Sequence, residues 1–115
     1  MRLGDIITIV GGKVLTKNIN LDLEVSSCGA ADLMSDVLAY TKSGSLLLTG
    51  LMNPHSIRTA ELADLAGIVF VRGKTPGEDT MKLAEELGIP LIGSHYGMYE
   101  MCGRLYQAGL APTMK

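Results

Sequence analysis

Three short polar clusters in this chain carry groups able to do chemistry, and each follows an apolar run. The first holds Thr49, Asn53 and His55, the second Arg72 and Lys74, the third Ser94 and His95. A glycine-flanked junction adds Cys28 and Gly29. Two imidazoles, a guanidinium, an ammonium and several hydroxyl or amide donors suit one task best. They would hold a small anion such as a phosphate, above all where helix N-termini point at the same place. The plain alternative is that they are solvated loop residues, since connecting segments are where polar groups collect.

Sharper chemistries fail on spacing. Gly11-Gly12-Lys13-Val14 is not a phosphate-binding P-loop, because Ile7 stands where the first glycine belongs and Val14 replaces the Ser/Thr. Gly93-Ser94-His95-Tyr96-Gly97 has the outline of a nucleophile elbow, but its centre is His95 and not serine. No acidic residue is placed to orient that histidine, so no catalytic residue is assigned. Two His and two Cys show no metal-ligand spacing, so no metal or cofactor is expected. Cys28, near a helix N-terminus, is the thiol whose pKa such a position would lower, whereas Cys102 falls on an apolar helix stripe and reads as core. An inert, buried Cys28 is the commoner outcome.

The elements that must position these groups recur evenly. Apolar strands begin at Leu46, Ile68 and Pro90, and each unit closes on a matching triplet: Ala66-Gly67-Ile68, Leu87-Gly88-Ile89 and Ala108-Gly109-Leu110. Between them lie helical stripes. The first starts at Asn53-Pro54, an N-cap followed by proline at the first helical position. The second follows Pro76-Gly77 and places Glu78 and Asp79 in its first turn, as the helix dipole favours. The third carries Met98, Met101, Cys102 and Leu105. Strands alternating with helices at this interval form a parallel sheet, and strands apolar along their whole length are covered on both faces. The expectation is a single three-layer α/β domain, mainly parallel, built on three consecutive βα units over residues 45–110. Ligands in such sheets sit beyond the carboxyl ends of the strands. That rule is what gathers the three polar clusters at one edge.

Residues 1–44 should supply a short helix, short strands and a further helix. Leu3, Ile6, Ile7 and Val10 mark the helix over residues 2–10, stopped by Gly11-Gly12. Lys13 to Thr16 reads as a brief strand. Leu21, Leu23 and Val25 alternate with polar neighbours and give a strand over residues 21–26. Asp32 reads as the N-cap of a helix from Leu33 to about Lys42. That helix is apolar on more than one side (Leu33, Met34, Val37, Leu38, Tyr40), as a helix presented to a partner would be. Residues 111–115 read as a loose tail.

Composition sets outer bounds. The 115 residues suit one domain, and 47% hydrophobic content suffices for a core of Leu, Ile, Val, Ala and seven Met, with four Tyr, one Phe and no Trp. A formal charge of −2 and so few aromatics argue against nucleic-acid binding. The apolar runs are too short for a membrane span, and Asp5 with no cleavage site counts against a signal peptide. Two unpaired cysteines fit a reduced, cytoplasmic setting.

Leu21-Asp22-Leu23-Glu24-Val25, the run from Ser27-Cys28-Gly29-Ala30-Ala31-Asp32 to Val37, Asn53-Pro54-His55, Gly88-Ile89-Pro90-Leu91 and Gly103-Arg104-Leu105-Tyr106 together resemble the DRTGG domain family along nearly the whole chain. The name-giving residues differ: no arginine follows Asp22, and the junction reads Ser27-Cys28-Gly29 in place of Thr-Gly-Gly. The resemblance implies a regulatory, dimer-forming domain. Its relatives stand alone or are fused to cystathionine-β-synthase-type nucleotide sensors in family II pyrophosphatases, and to phosphotransacetylases. They are similar to the N-terminal, non-catalytic domain of the HPr serine kinase, and stand-alone copies occur beside iron-only hydrogenase subunits. The expected function is therefore a non-enzymatic regulatory or adaptor domain. It would be homodimeric, would bind a nucleotide or similar anion at the strand ends, and a hydrogenase-type partner enzyme is implied. A pure protein interaction module is the alternative, and a small enzyme using His95 or Cys28 is the remaining one.

Overall fold

The computed structural model describes residues 1–113. The elements run α1 (Leu3–Ile9), β1 (Lys13–Val14), β2 (Ser27–Ala30), α2 (Met34–Tyr40), β3 (Ser45–Thr49), α3 (Pro54–Leu62), β4 (Gly67–Phe70), α4 (Glu78–Leu87), β5 (Leu91–Gly93) and α5 (Met98–Gln107). One five-stranded sheet has the order β1-β5-β4-β3-β2. β2 to β5 are parallel neighbours in chain order, and β1 closes the far side antiparallel to β5. The three-layer α/β expectation is met.

The all-apolar strands explain the layering. Alternate side chains of one strand point to opposite faces, so Leu46, Leu48, Val69, Val71 and Ile92 enter one core with Leu3, Ile6, Met101 and Leu105 from α1 and α5. Leu47, Ile68, Phe70 and Leu91 enter the other, against Met34, Val37, Ile57, Ala60 and Ala84 from α2, α3 and α4. Both faces are covered, and a strand with a polar side would leave one core unfilled.

Three local readings of the sequence are corrected. Residues 21–26 do not form a ladder strand. Only an isolated bridge joins Glu24 to Arg2, and the paired strand is the small-residue run Ser27–Ala30. Asp32 does not cap α2, whose N-cap is Leu33 without a side-chain bond. Finally, residues 111–113 are not loose. The Cys28 N–H donates to the Ala111 carbonyl at 2.9 Å and the Thr113 N–H to the Cys28 carbonyl at 2.8 Å, which adds a bridge at Pro112 along the outer side of β2. The Thr113 hydroxyl also accepts from the Lys42 N–H at 2.8 Å. Met114 and Lys115 lie outside the described residues.

Candidate functional site

The carboxyl ends of β3, β4 and β5 bring several of the expected groups together, but in different roles. Thr49 is fully buried, and its hydroxyl donates to Asp32 Oδ1 at 2.8 Å while accepting from the Leu51 N–H at 3.1 Å. Asn53 caps α3 by accepting from the Ser56 N–H at 3.1 Å. The buried Ser94 hydroxyl donates to the Val10 carbonyl at 2.7 Å and accepts from the Tyr96 N–H at 3.2 Å. These three shape the edge, with their hydrogen-bonding capacity turned to the protein. Arg72, Lys74, His55 and His95 are exposed.

The turn after β4 holds the cations in place by an uncommon backbone. Arg72 (φ 63°) and Gly73 (φ 67°) are consecutive left-handed residues. That conformation costs a side-chain-bearing residue about 1–2 kcal/mol. It is fixed from the turn after β5, because the Arg72 N–H donates to the Tyr96 carbonyl at 2.9 Å and the Gly73 N–H to the Ser94 carbonyl at 2.7 Å. The His95 ring lies over Gly73, where a Cβ would stand 3.0 Å from His95 Nδ1. Glycine is therefore favoured by the backbone angle, and a side chain here would press on the His95 ring.

Two subsites result. On the β5 side, Lys13, Gly73, Lys74, Thr75 and His95 surround a cavity of about 260 Å3. The backbone N–H groups of Lys74, Thr75 and His95 have no protein acceptor among the described residues, so three donors and the two ammonium groups are available at its wall. On the β3 side, Asp32 Oδ1 accepts from Thr49 and from the Gly50 N–H at 2.9 Å. Its carboxyl is held below the ordinary range, first by the Gly50 N–H and then by the Thr49 hydroxyl, against an opposing effect of burial, with the charges of Arg72 and Lys74 adding smaller contributions. A Cβ on Gly50 would stand 3.7 Å from Arg72 Nη2 and 3.8 Å from Asp32 Oδ2, so guanidinium and carboxylate flank the same glycine. Lys13 and Asp32 were not expected here. Asp32 follows β2 directly, and the strand-end rule would have found it had β2 been placed correctly. Lys13 arrives through the antiparallel pairing with Gly93, which no local pattern encodes.

Cys28 and Gly29 are not at this edge. They pair with Leu46 and Leu47 inside the ladder. Cys28 instead shares a small apolar cavity of about 110 Å3 with Cys102, Leu48 and Leu105. Burial, with the nearby Cys102 adding, pushes the Cys28 thiol up to about 12. That is the reverse of the lowering a helix N-terminus would give. A Cβ on Gly29 would meet Thr113 Cγ2 at 2.7 Å, so this glycine makes room for the returning chain end.

A further cavity lies at the opposite edge of the sheet. About 580 Å3 opens at the amino ends of β3, β4 and β5, beneath the segment from Lys17 to Glu24.

Comparison with curated proteins yields no match. Among solved structures, the chain resembles the CBS and DRTGG domains of the regulatory region of Clostridium perfringens pyrophosphatase complexed with the activator diadenosine tetraphosphate. The TM-score is 0.77 at 13% identity, over 99% of this chain and 50% of that one. The chain thus spans half the length of that neighbour, and the likeness is one of fold. The DRTGG domain family matches residues 5–108, nearly the whole chain. The chain belongs to the DRTGG domain family.

Proposed function

We propose that this chain is a non-enzymatic regulatory domain, homodimeric in a cytoplasmic setting, that binds a small phosphate-bearing ligand at the carboxyl edge of its sheet. One observation carries the reading. Lys13, Lys74 and His95 arrive from three different elements at one cavity whose wall also offers three acceptor-free N–H donors. Arg72 stands on the adjoining turn, in a backbone conformation costly for its residue type. Such strain persists where the surroundings enforce it, and ligand clamps are among its usual places. Main-chain donors with cations around them form an anion receptor. About 260 Å3 accommodates a phosphate with its sugar rather than a whole dinucleotide. That the neighbouring pyrophosphatase region is complexed with a nucleotide activator supports a nucleotide as the ligand class.

The likeness to the N-terminal domain of the HPr serine kinase and a partner enzyme of hydrogenase type belong to this same proposal. A thermal-shift panel of AMP, ATP and inorganic phosphate tests the ligand. A ligand at about a hundred times its Kd stabilises by about 2.7 kcal/mol, a rise of several degrees in Tm. Lys74→Ala should remove that rise. No shift with any panel member at millimolar concentration contradicts the reading.

A pure interaction module is the second reading, favoured by the side chains left outside the cores. Leu33 is 62% exposed, Tyr40 64%, Tyr99 95% and Tyr106 73%. Light scattering decides the dimer part: a monomer at high concentration argues against it.

A further inference from the structure

At the amino edge of the strands, electrostatics and shape run opposite to those of the anion receptor. The cavity of about 580 Å3 lies within the range of small-molecule sites. Its inner wall is apolar and buried, formed by Leu65, Ala66, Ala84 and Ile89, with Ile19 and Leu23 of the overlying segment half-buried. Because the strands are parallel, α3 and α4 both end at this edge, where the helix dipole is negative. A lysine or arginine in the last turn is the usual answer to that charge, and neither helix has one. Carboxylates stand there instead: Asp64 just after α3 and Glu85 in the last turn of α4, both lining the cavity. Acidic groups at helix C-termini cost stability. Departures from local preference of this kind concentrate at functional positions.

The remaining charges do not neutralise them. Glu24, also on the wall, is met by the N-terminal ammonium of Met1 at 3.1 Å. The Asp64 carboxylate accepts from the Ser43 hydroxyl, and the Glu85 carboxylate from the Lys17 N–H at 3.0 Å. Neither pairs with a basic side chain among the described residues. Lys17 is the sole basic side chain on the wall. The cavity is covered by a turn in which Asn18 is left-handed (φ 56°) and the Lys17 N–H is tied to the Glu85 carboxylate. An apolar interior with a negative mouth fits a molecule of the inverse pattern.

We infer that this amino-edge cavity is a second binding site, separate from the anion receptor, for a small organic cation: an ammonium or guanidinium on an apolar stem. The stem lies along Ala66, Ala84 and Ile89, and the cationic head sits between Asp64, Glu85 and the ends of α3 and α4. This inference stands independently of the proposed function, because the two sites occupy opposite edges of the sheet.

Amide-resolved NMR titration of the full chain tests it, with agmatine as the probe, n-butanol as the apolar control and a blocked arginine peptide as the second cation source. Agmatine should produce saturable shifts at Gly44, Ala66 and Gly88 and leave Gly73 and His95 unmoved; n-butanol should not reproduce them. Tighter binding of agmatine than of the peptide identifies a free molecule as the natural source, and the reverse order a protein side chain. The pair Asp64→Asn and Glu85→Gln keeps the shape, the acceptors and the left-handed position at 64, since asparagine tolerates it. That double variant should weaken agmatine by about three- to tenfold, as loss of two exposed charge interactions does. Equal shifts with n-butanol, shifts confined to the other edge, or no saturation for the native chain overturn the inference. The native-chain result decides it even if the double variant fails to fold.

Discussion

The two edges of the sheet are made by the same βα repeat, yet they carry opposite charge. At the carboxyl edge, helix N-termini and the side chains of Lys13, Arg72, Lys74 and His95 face outward. At the amino edge, helix C-termini meet Asp64 and Glu85 over an apolar floor. Backbone strain separates the edges as clearly. The left-handed residues of the amino edge are Asn18 and Asp64 beside glycines, types that tolerate the conformation, whereas the carboxyl edge puts Arg72 there. A parallel sheet thus gives one small domain two chemically inverse rims without any change of fold, and the strain marks the rim where a particular side chain must be held.

The largest expected effect strikes both rims together. Phe70 is fully buried in the α2–α4 core. Phe70→Ala should cost about 3–5 kcal/mol by denaturant unfolding. If ligand binding at either edge survived that loss unaltered, the edges would not depend on the shared sheet.

Next in size is Asp32, which acts on the carboxyl rim alone. Removing a carboxylate that accepts two hydrogen bonds at a water-exposed position should cost about 1–2 kcal/mol, measured as Asp32→Ala against the native chain at pH 7. The sign with pH follows from its lowered pKa. The folded state binds the proton more weakly than the unfolded state, so the contribution is full above the ordinary value of 3.8 and is lost as pH falls through the folded value below it. The difference between the two chains should therefore be flat from neutral pH to mild acid and shrink below 3.8. A difference that shrinks already near neutrality would contradict the assignment.

Smaller, and opposite in direction, is Arg72→Gly. Relief of the left-handed strain should raise stability by about 1 kcal/mol while weakening anion binding. Asp64→Asn at the other rim, already a tolerant position, should change stability by less than about 0.5 kcal/mol. Equal effects at the two positions would erase the contrast in strain.

Much of this was legible in the sequence, and what was not has physical causes. Residues 45–110 could be read because each unit is local: an apolar strand, a cap such as Asn53, a periodic stripe, a closing glycine. The segment before them misled. Leu21, Leu23 and Val25 alternate as a strand should, but pairing goes to Ser27–Ala30, four residues of weak β preference held by β3 and by residues 111–113. Strand pairing at that separation is a long-range property that periodicity does not report. The misplaced β2 moved Cys28 and Gly29 to the edge and removed Asp32 from it. The amino-edge cavity was invisible for a similar reason, since the segment Lys17–Glu24 forms its cover only after packing across three strand ends.

The account rests on the carboxyl edge being the anion site, and an amide-resolved titration of the native chain with AMP tests this most directly. The predicted result is saturable shifts at Gly73, Lys74, Thr75 and His95, with Gly44, Ala66 and Gly88 unmoved. Shifts confined to the amino edge, or none that saturate, would contradict it.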